Sequence, residues 1–375
     1  MNNMLNDLQE VILMGPGPTC VPDEVYTAMS KYTLGHMDGE FIRIMDAIKS
    51  MLQQLLHTDN KLTIPVSGTG SAGMETCFVN LIEHGDPVLI LKNGVFGNRM
   101  EDVASRLGAE VETLESEWGT PILSDKVKLA LQKRSDKGKG PFKFVAIVHA
   151  ETSTGVKNPI EEIGKLVHET GSLFLVDAVT SFGGLSLEVD KLGIDALYSG
   201  TQKCLSCPPG LSPVTFSAGA VETIQSRRTK VPNWYLDMNM IINYWSGATR
   251  VYHHTAPINM LYGLYQALYL ILEEGEDNVY ARHRKTHELL VSELDSLGLK
   301  MLVEPEYRLP MLNTVVVPDG VDEARVRKEL RETYRIEIGA GLGALAGKVF
   351  RIGLMGHTAR KENVDKLVSA LKKIL

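Results

Sequence analysis

One aspartate and one lysine lie at the ends of short apolar runs that are close together along the chain. Asp177 lies towards the end of the run 173–179, and Lys203 follows the run that starts at Ile194. We expect both runs to be buried strands that end in a polar turn. Burial lowers the pKa of a lysine from about 10.4, and a neutral amine can form a Schiff base with an aldehyde.

Lys203 alone would be read as a surface lysine at a strand end, and the neighbouring Asp177 changes this interpretation. A carboxylate on a pyridinium nitrogen and an amine on an aldehyde are the two groups that bind pyridoxal phosphate (PLP). The pair therefore predicts a PLP site, with Lys203 and Asp177 as the catalytic residues.

The composition limits the class of protein. A chain of 375 residues with 44% hydrophobic and 23% charged residues is typical of a globular protein with more than one domain. The net charge of −7 argues against general binding to nucleic acid or to a membrane surface. A membrane-spanning helix needs about 20 apolar residues, and no apolar run approaches that length. Residues 1–9 lack an apolar signal core. The four cysteines suit a reducing compartment. We expect a cytoplasmic protein.

Short apolar runs alternate with stretches of helical periodicity, which predicts an α/β fold with a mostly parallel central sheet flanked by helices. Ligands of such sheets bind at the carboxyl ends of the strands, where Ser67, Thr152, Asp177 and Lys203 fall. The predicted strands cover 62–66, 87–91, 144–148 and 173–179, and the predicted helices cover 41–56, 75–82, 99–107 and 160–168.

The same patterns divide the chain into an arm at 1–20, a large domain at 21–272 and a smaller C-terminal α+β domain at 273–375. The arm contains Gly-Pro-Gly-Pro at 15–18, which suits neither a helix nor a strand interior, and we expect it to lie across the site or a partner subunit. The remaining predicted helices cover 259–272, 279–297, 321–333 and 362–374, and the remaining strands cover 299–303, 313–317 and 349–354.

A glycine motif at 68–73 offers an alternative from a different class. Its sequence Gly-Thr-Gly-Ser-Ala-Gly matches the dinucleotide fingerprint G-x-G-x-x-G between a strand and a helix. The next strand ends in Lys92 and Asn93, so it lacks the acid that holds a ribose hydroxyl. Small residues at a helix N-terminus also suit a single phosphate. A dinucleotide-binding oxidoreductase remains the alternative, and the bound cofactor would discriminate the two.

Two further pairs of residues have ordinary interpretations. Cys204 and Cys207 form one C-x-x-C without the second pair or the context that a zinc or redox site needs, and we expect small buried hydrophobes. His283 and His287 are four residues apart on a predicted helix but lack the glutamate of a metalloprotease motif. We expect them on a solvated helix face and predict no metal site.

Motifs in one order over almost the whole chain resemble a known family. Asp195 to Lys203, followed by Gly210, Ser212 and Val214, resembles the lysine signature of class V aminotransferases of PLP fold type I, and most of all alanine–glyoxylate and serine–pyruvate aminotransferases. The resemblance implies a large PLP-binding domain and a smaller C-terminal domain. It extends over 15–18, 35–37, 67–70, 93–97, 151–155, 252–255 and 351–354.

The resemblance also implies roles for single residues. Lys203 would hold PLP as a Schiff base and move the substrate proton, and Asp177 would stay ionised at the ring nitrogen. Arg351 would bind the substrate carboxylate as a bidentate pair, with Gly17 of the arm beside the substrate; a structural salt bridge is the alternative for Arg351. The implied cofactor contacts are Gly70, Ser71 and Gln202 at the phosphate, Phe96 and Val179 on the two ring faces, and Thr152 near O3′.

Two residues are implied to act across a subunit boundary. Tyr252 and Thr255 would reach the phosphate of the neighbouring subunit's cofactor, which requires a homodimer with shared active sites. A polar turn ahead of Pro257 is the alternative. Two positions depart from the family pattern. Most relatives of the alanine–glyoxylate type carry Trp at the position of Phe96, and the mammalian-type relatives carry His at that of Ser71.

The small residues of the arm suggest a small amino donor, alanine or serine, with glyoxylate or pyruvate as acceptor. An (S)-ureidoglycine–glyoxylate aminotransferase, which the chain resembles at 200–206 and 345–348, or another class V aminotransferase is the alternative. Tyr252 and His36 stand where that group carries Asn and Gln, which favours the alanine or serine type. A cysteine desulfurase would need a cysteine shortly before Arg351, and residues 336–350 contain none.

Overall fold

The computed structural model describes residues 4–246 and 249–375, so the first three residues of the predicted arm lie outside the described residues. Its helices are α1 (Asp23–Met29), α2 (Gly39–Leu55), α3 (Gly70–Leu81), α4 (Val95–Arg106), α5 (Ser124–Asp136), α6 (Ile160–His168), α7 (Ala218–Gln225), α8 (Met238–Trp245), α9 (Ile258–Glu274), α10 (Glu276–Ser296), α11 (Glu323–Thr333) and α12 (Lys361–Ile374). Its strands are β1 (Ile12–Leu13), β2 (Leu62–Ser67), β3 (Pro87–Lys92), β4 (Glu110–Glu115), β5 (Phe144–Val148), β6 (Ala150–Glu151), β7 (Val156–Lys157), β8 (Leu173–Asp177), β9 (Ala196–Tyr198), β10 (Leu211–Phe216), β11 (Leu312–Val316), β12 (Ile336–Glu337), β13 (Gly339–Ala340) and β14 (Val349–Gly353).

The central sheet of the described chain has seven strands in the order β2-β10-β9-β8-β5-β3-β4. Neighbouring strands are parallel except at β10, which runs antiparallel to both β2 and β9. Every residue of β5 is buried, as expected for a parallel strand with helices on both faces. The mostly parallel α/β sheet is therefore confirmed, and β4 and β10 are the strands of this sheet that the sequence did not predict.

Most of the predicted helices of the large domain are found close to their predicted bounds. In α2, Phe41, Met45, Ile48 and Leu52 are buried on one face, which is the helical period that predicted it. By contrast, α3 and α4 begin at Gly70 and Val95, several residues before their predicted starts at 75 and 99. Their first turns contain glycine, which has a low helix propensity. No helix in the described part of the chain has both the length and the apolarity needed to cross a membrane.

A second hydrophobic core lies towards the C-terminus, separate from the core around the central sheet. It is built from α10, α11 and α12 and from the sheet β11-β14-β13. The predicted strand at 299–303 is wrong: only Met301 pairs, in an isolated bridge with Val315. Leu299 and Val303 are buried, so the apolar run reflects packing without a ladder of paired residues. The domain boundaries at 20 and 272 stay a prediction, with which the two cores are consistent.

The N-terminal arm joins these two cores. Its strand β1 pairs with β12, and Met14 is fully buried in the second core. Farther along, the Thr19 amide donates to the Gln202 carbonyl (3.0 Å), and the Thr19 hydroxyl donates to the Met355 carbonyl (2.6 Å). The arm is therefore fixed on both sides of the segment at 15–18.

We predict that Met14→Ala lowers the free energy of unfolding by about 2–5 kcal/mol, the usual cost of truncating a buried methionine. Met4→Ala is the control, because Met4 is 81% exposed and its loss should change stability by less than about 0.5 kcal/mol. Equilibrium unfolding in urea measures both. Equal stability of the two variants would contradict the packing of the arm described here.

Candidate active site

Asp177 ends β8 and is almost completely buried. Its Oδ1 accepts a hydrogen bond from the Val179 amide (2.8 Å), and its Oδ2 accepts one from the Tyr198 hydroxyl (2.8 Å). Tyr198 is the register partner of Asp177 on β9. Burial raises the pKa of Asp177 to about 6, while the two hydrogen bonds and the charge of Lys203 oppose the rise. The carboxylate is therefore ionised at neutral pH.

Lys203 lies five residues beyond the end of β9 and is also buried. Burial lowers its pKa to about 8, which increases the neutral fraction of the amine near neutral pH, and Schiff-base chemistry needs the neutral form. Its Nζ donates a hydrogen bond to the carbonyl of Pro16. The arm therefore lies directly across the reactive amine, as expected from the sequence.

A cavity of about 200 Å³ connects these groups. Eight of the predicted site residues line it together, on the strand ends and on the N-termini of α3 and α4. They are Gly70, Ser71, Phe96, Thr152, Asp177, Val179, Gln202 and Lys203.

One end of this cavity has the features of an anion site. The N-terminus of α3, at Thr69 and Gly70, faces the cavity, and the amides of a helix N-terminus favour negative charge. A Cβ atom at Gly70 would lie 3.1 Å from a methyl carbon of Val179, so glycine lets the backbone approach. The buried Oε1 of Gln202 has no hydrogen-bond partner within the described chain.

Arg351 lies on β14 beside the cavity rather than in its lining. Its Nε donates to the Ala340 carbonyl (2.6 Å) and its Nη1 donates to the Thr152 carbonyl (3.0 Å). Burial lowers the pKa of Arg351 to about 10, and the nearby charge of Glu151 opposes the shift. The contact with Thr152 connects the arginine to the cavity wall.

Gly17 packs against the lysine. A Cβ atom at this position would lie 2.7 Å from Cδ and 2.8 Å from Cε of Lys203, and the φ angle of Gly17 is +108°. Both the space and the backbone conformation therefore require glycine.

Tyr252 and Thr255 are not brought into this cavity. Both side chains are exposed, and their hydroxyl oxygens are 3.4 Å apart. The Tyr252 ring contacts the ring of His36, with a centroid distance of 5.0 Å.

Several residues of the site were missed in the sequence. Arg99 lines the cavity with its guanidinium over the Phe96 ring, 5.1 Å from the centroid. Tyr198 holds Asp177, and the buried Glu151 binds the first turn of α4. The spacing of Arg99 three residues after Phe96 on a helix was the only local signal, since the partners of Tyr198 and Glu151 lie on other segments.

The expectations for the paired cysteines and histidines had different outcomes. Cys204 and Cys207 are buried, as predicted, and burial raises the pKa of each thiol to about 12. The solvated face expected for His283 and His287 is wrong. His283 is fully buried, and its Nε2 accepts a hydrogen bond from the Gly356 amide (2.9 Å), while His287 binds the Asn313 side chain (2.6 Å). The face of α10 that carries them packs against the second core's sheet and the loop at 356.

Comparisons with known proteins identify the family. The family model for "Aminotransferase class-V" matches residues 11–367. The chain belongs to the class-V aminotransferases. An alanine–glyoxylate aminotransferase from Callithrix jacchus is 40% identical over 367 residues, which are 97% of this chain and 87% of that protein. An (S)-ureidoglycine–glyoxylate transaminase from Bacillus subtilis (strain 168) is 36% identical and covers 97% of this chain and 90% of its own.

Solved structures of the class share this fold. The structure of an alanine–glyoxylate aminotransferase from Nostoc sp. superimposes with a TM-score of 0.94 at 48% identity, and covers 100% of this chain and 99% of its own. This class-V aminotransferase is therefore a transaminase, and class-V aminotransferases of this fold depend on PLP. A buried amine, a buried carboxylate and a helix N-terminus around one cavity fit that cofactor.

We predict that Tyr198→Phe moves the acidic limb of the pH profile of kcat/KM to higher pH by about one unit. If the active form carries an ionised Asp177, as the resemblance implies, the loss of a hydrogen bond to the carboxylate raises the pKa that sets this limb. Such a bond is worth about 1.5–3 kcal/mol, or about one to two pKa units. Tyr269→Phe, at an exposed tyrosine, is the control. An acidic limb that stays in place in Tyr198→Phe would refute the role given to Tyr198.

We also predict that Gly17→Ala lowers kcat/KM by about 100-fold, because the methyl group would displace Lys203 and a displacement of about 1 Å can cost that much. Gly15→Ala is the matched control in the same arm, since its Cβ atom would meet its nearest neighbour at 3.7 Å. Steady-state kinetics of both variants decide the matter. Equal activities would show that the arm does not constrain the lysine.

Proposed function

We propose that this aminotransferase moves the amino group of a small L-amino acid, alanine or serine, to glyoxylate or pyruvate, with PLP bound through Lys203. The observation that carries the proposal is the burial of Lys203 and Asp177 in one cavity with Arg351 beside it. Glyoxylate occurs in the names of the relatives from Callithrix jacchus, Bacillus subtilis and Nostoc sp.. The Pro16 carbonyl and Gly17 pack against Lys203, which leaves little space for a large donor side chain.

PLP, when bound, supplies the electron sink that a transaminase needs. Asp177 keeps a proton on the ring nitrogen, because its ionised carboxylate lies at the end of β8 with two fixed hydrogen bonds. The Lys203 amine, freed when the substrate amine replaces it, would carry the proton from the substrate Cα to C4′ of the bound cofactor. Such positioned acid–base catalysis contributes typically about 10²–10⁴-fold. The Pro16 carbonyl orients the amine, since it accepts from Nζ.

Arg351 binds the substrate carboxylate in this proposal. A guanidinium is suited to a bidentate contact with a carboxylate, and its two contacts with backbone carbonyls fix it beside Thr152. These contacts use Nε and one proton of Nη1, so both protons of Nη2 and the second proton of Nη1 remain for the substrate carboxylate.

The remaining residues of the cavity hold the cofactor. Gly70, Ser71 and Gln202 bind the phosphate at the N-terminus of α3, where the helix dipole favours its charge. Phe96 and Val179 would pack on the two faces of the cofactor ring, and Thr152 would contact O3′. Their common position in the cavity lining supports these roles.

We further propose a cytoplasmic homodimer in which Tyr252 and Thr255 complete the phosphate site of the partner subunit. Both side chains are exposed in one subunit, and neither lines the cavity of that subunit, which supports this arrangement.

Transamination of (S)-ureidoglycine is the second candidate, supported by the Bacillus subtilis transaminase. His36 and Tyr252 are the two positions at which this chain departs from the ureidoglycine group, and this favours the alanine or serine type. Their rings are in contact, so the two departures change the same local surface.

The test is a panel of donors, L-alanine, L-serine and (S)-ureidoglycine, each with glyoxylate and with pyruvate. We expect the highest kcat/KM for alanine or serine with one of these acceptors. A clear preference for (S)-ureidoglycine would select the second candidate, and no transfer from any donor would refute the proposed substrates.

Arg351→Lys should raise KM for the amino donor and lower kcat/KM by about 10- to 100-fold, because it removes one charge-assisted hydrogen bond worth about 1.5–3 kcal/mol. PLP affinity should stay unchanged, as titrated by absorbance. Arg331→Lys, on the exposed side of α11, is the control. An unchanged KM in Arg351→Lys would favour the purely structural role.

A further inference from the structure

The N-terminus of α4 is capped by a different segment of the chain. The first amides of a helix have no partner within it, and Gly94, the residue before α4, has no side chain to supply one. The Val95 amide donates to the Ser153 hydroxyl (2.9 Å), and the Phe96 amide donates to Oε2 of Glu151 (3.2 Å). The segment 151–153, which begins at the last residue of β6, therefore supplies the cap.

Glu151 is fully buried and its carboxylate is held from both sides. Its Oε1 accepts from the hydroxyl (2.6 Å) and from the amide (3.1 Å) of Ser153, while Oε2 faces α4. An ionised carboxylate only accepts hydrogen bonds, and each of these partners is a donor. The positive end of the helix dipole and the nearby Arg351 favour the charge.

The charge is nevertheless expensive to bury. Burial raises the pKa of Glu151 to about 7; the bonds from Ser153 and Gly97 oppose the rise, and the charge of Asp177 adds to it. A carboxylate that served only to fill space could be replaced by an apolar side chain at lower cost.

The carboxylate of Glu151 packs closely against the backbone of Gly94. A Cβ atom there would lie within 3.0 Å of Cγ and Cδ of Glu151 and of the Ser153 hydroxyl. The contact is therefore tight on the side of α4 as well.

Thr152 stands between the two capping residues and lines the cavity. Its carbonyl accepts from Arg351 (3.0 Å), and Phe96 on the capped turn lines the cavity from another side. The segment 151–153 thus binds the turn that carries Phe96, contributes Thr152 to the cavity lining and binds Arg351 through the Thr152 carbonyl.

We infer that Glu151 and Ser153 are positioning residues that fix the first turn of α4, and with it Phe96, relative to Thr152 and Arg351. This inference rests on the roles proposed above for those three residues. Glu151 is not among the residues that line the cavity, so it acts through the residues that do. The segment links the binding of the cofactor ring to the binding of the substrate carboxylate.

Three variants weaken this contact from different sides: Glu151→Gln, Ser153→Ala and Gly94→Ala. The controls are Glu161→Gln, at an exposed carboxylate of α6, and Gly219→Ala in α7, where a Cβ atom would meet its nearest neighbour at 3.8 Å. Hydrogen exchange of the full chain, with and without PLP, reports on the amides at 95–97, and absorbance titration gives the PLP dissociation constant.

We expect faster exchange at 95–97 in all three variants, with β5 and β8 unchanged. The PLP dissociation constant should rise about 10-fold in Glu151→Gln, as for one lost charge-assisted hydrogen bond, and KM for the donor should rise more than kcat falls. The controls should match the wild type. A general loss of protection that includes β5 and β8, or wild-type exchange at 95–97 with wild-type PLP affinity, would overturn the inference.

Failure of the proposed function has a different signature. A wild-type chain that bound no PLP would refute the proposed cofactor contacts, while exchange at 95–97 without PLP would still report on the capping of α4.

Discussion

The carboxylate of Asp177 is buried at the end of a strand, and the site depends on the hydrogen bonds that stabilise its negative charge. An isolated buried carboxylate would take up a proton, because desolvation penalises the charged form. The Val179 amide and the Tyr198 hydroxyl prevent this at neutral pH by donating to the two oxygens. The parallel register of β8 and β9 places Tyr198 beside Asp177, so the sheet itself holds the charge.

The same constraint applies to the cations around it. Lys203 responds to burial with a pKa lowered to about 8, which makes the neutral amine easier to reach near neutral pH. Arg351 stays charged and directs two donors to backbone carbonyls. Buried charges of this kind are weak contributors to stability, and their concentration at the strand ends is typical of a functional site. The arm closes the arrangement through Pro16, packs into the second core through Met14 and binds the segment next to Lys203 through Thr19.

Local patterns predicted much of this fold because the relevant information is local. The apolar runs of β5 and β8 and the period of α2 depend on burial of neighbouring residues, and Asp177 and Lys203 follow directly from such runs. The strand β10 was missed because it follows Gly210 within a glycine- and proline-rich stretch that reads as a turn. His283 looked solvent-facing because the loop that covers it is more than 70 residues away.

The parts of the site that the sequence alone did not predict are contacts between distant segments. Tyr198 and Glu151 carry no local pattern that distinguishes them from other buried polar residues, and their importance comes from the partners that the fold supplies. The resemblance to class-V aminotransferases named further residues, such as Phe96, Val179 and Gln202, that the structure brings into the same cavity. Family motifs carry this long-range information, which periodicity does not. The roles proposed for Tyr252 and Thr255 need a second subunit, which one chain cannot display.

The most direct test of the central claim is the absorption spectrum of the purified protein with PLP, before and after L-alanine and then glyoxylate. A buried Lys203 that holds PLP predicts a band at roughly 400–430 nm that falls to about 330 nm with the amino acid and returns with the 2-oxo acid. Lys203→Ala should bind PLP without that cycle. The same band and the same cycle in Lys203→Ala, or no band in the wild type with PLP added, would contradict the account.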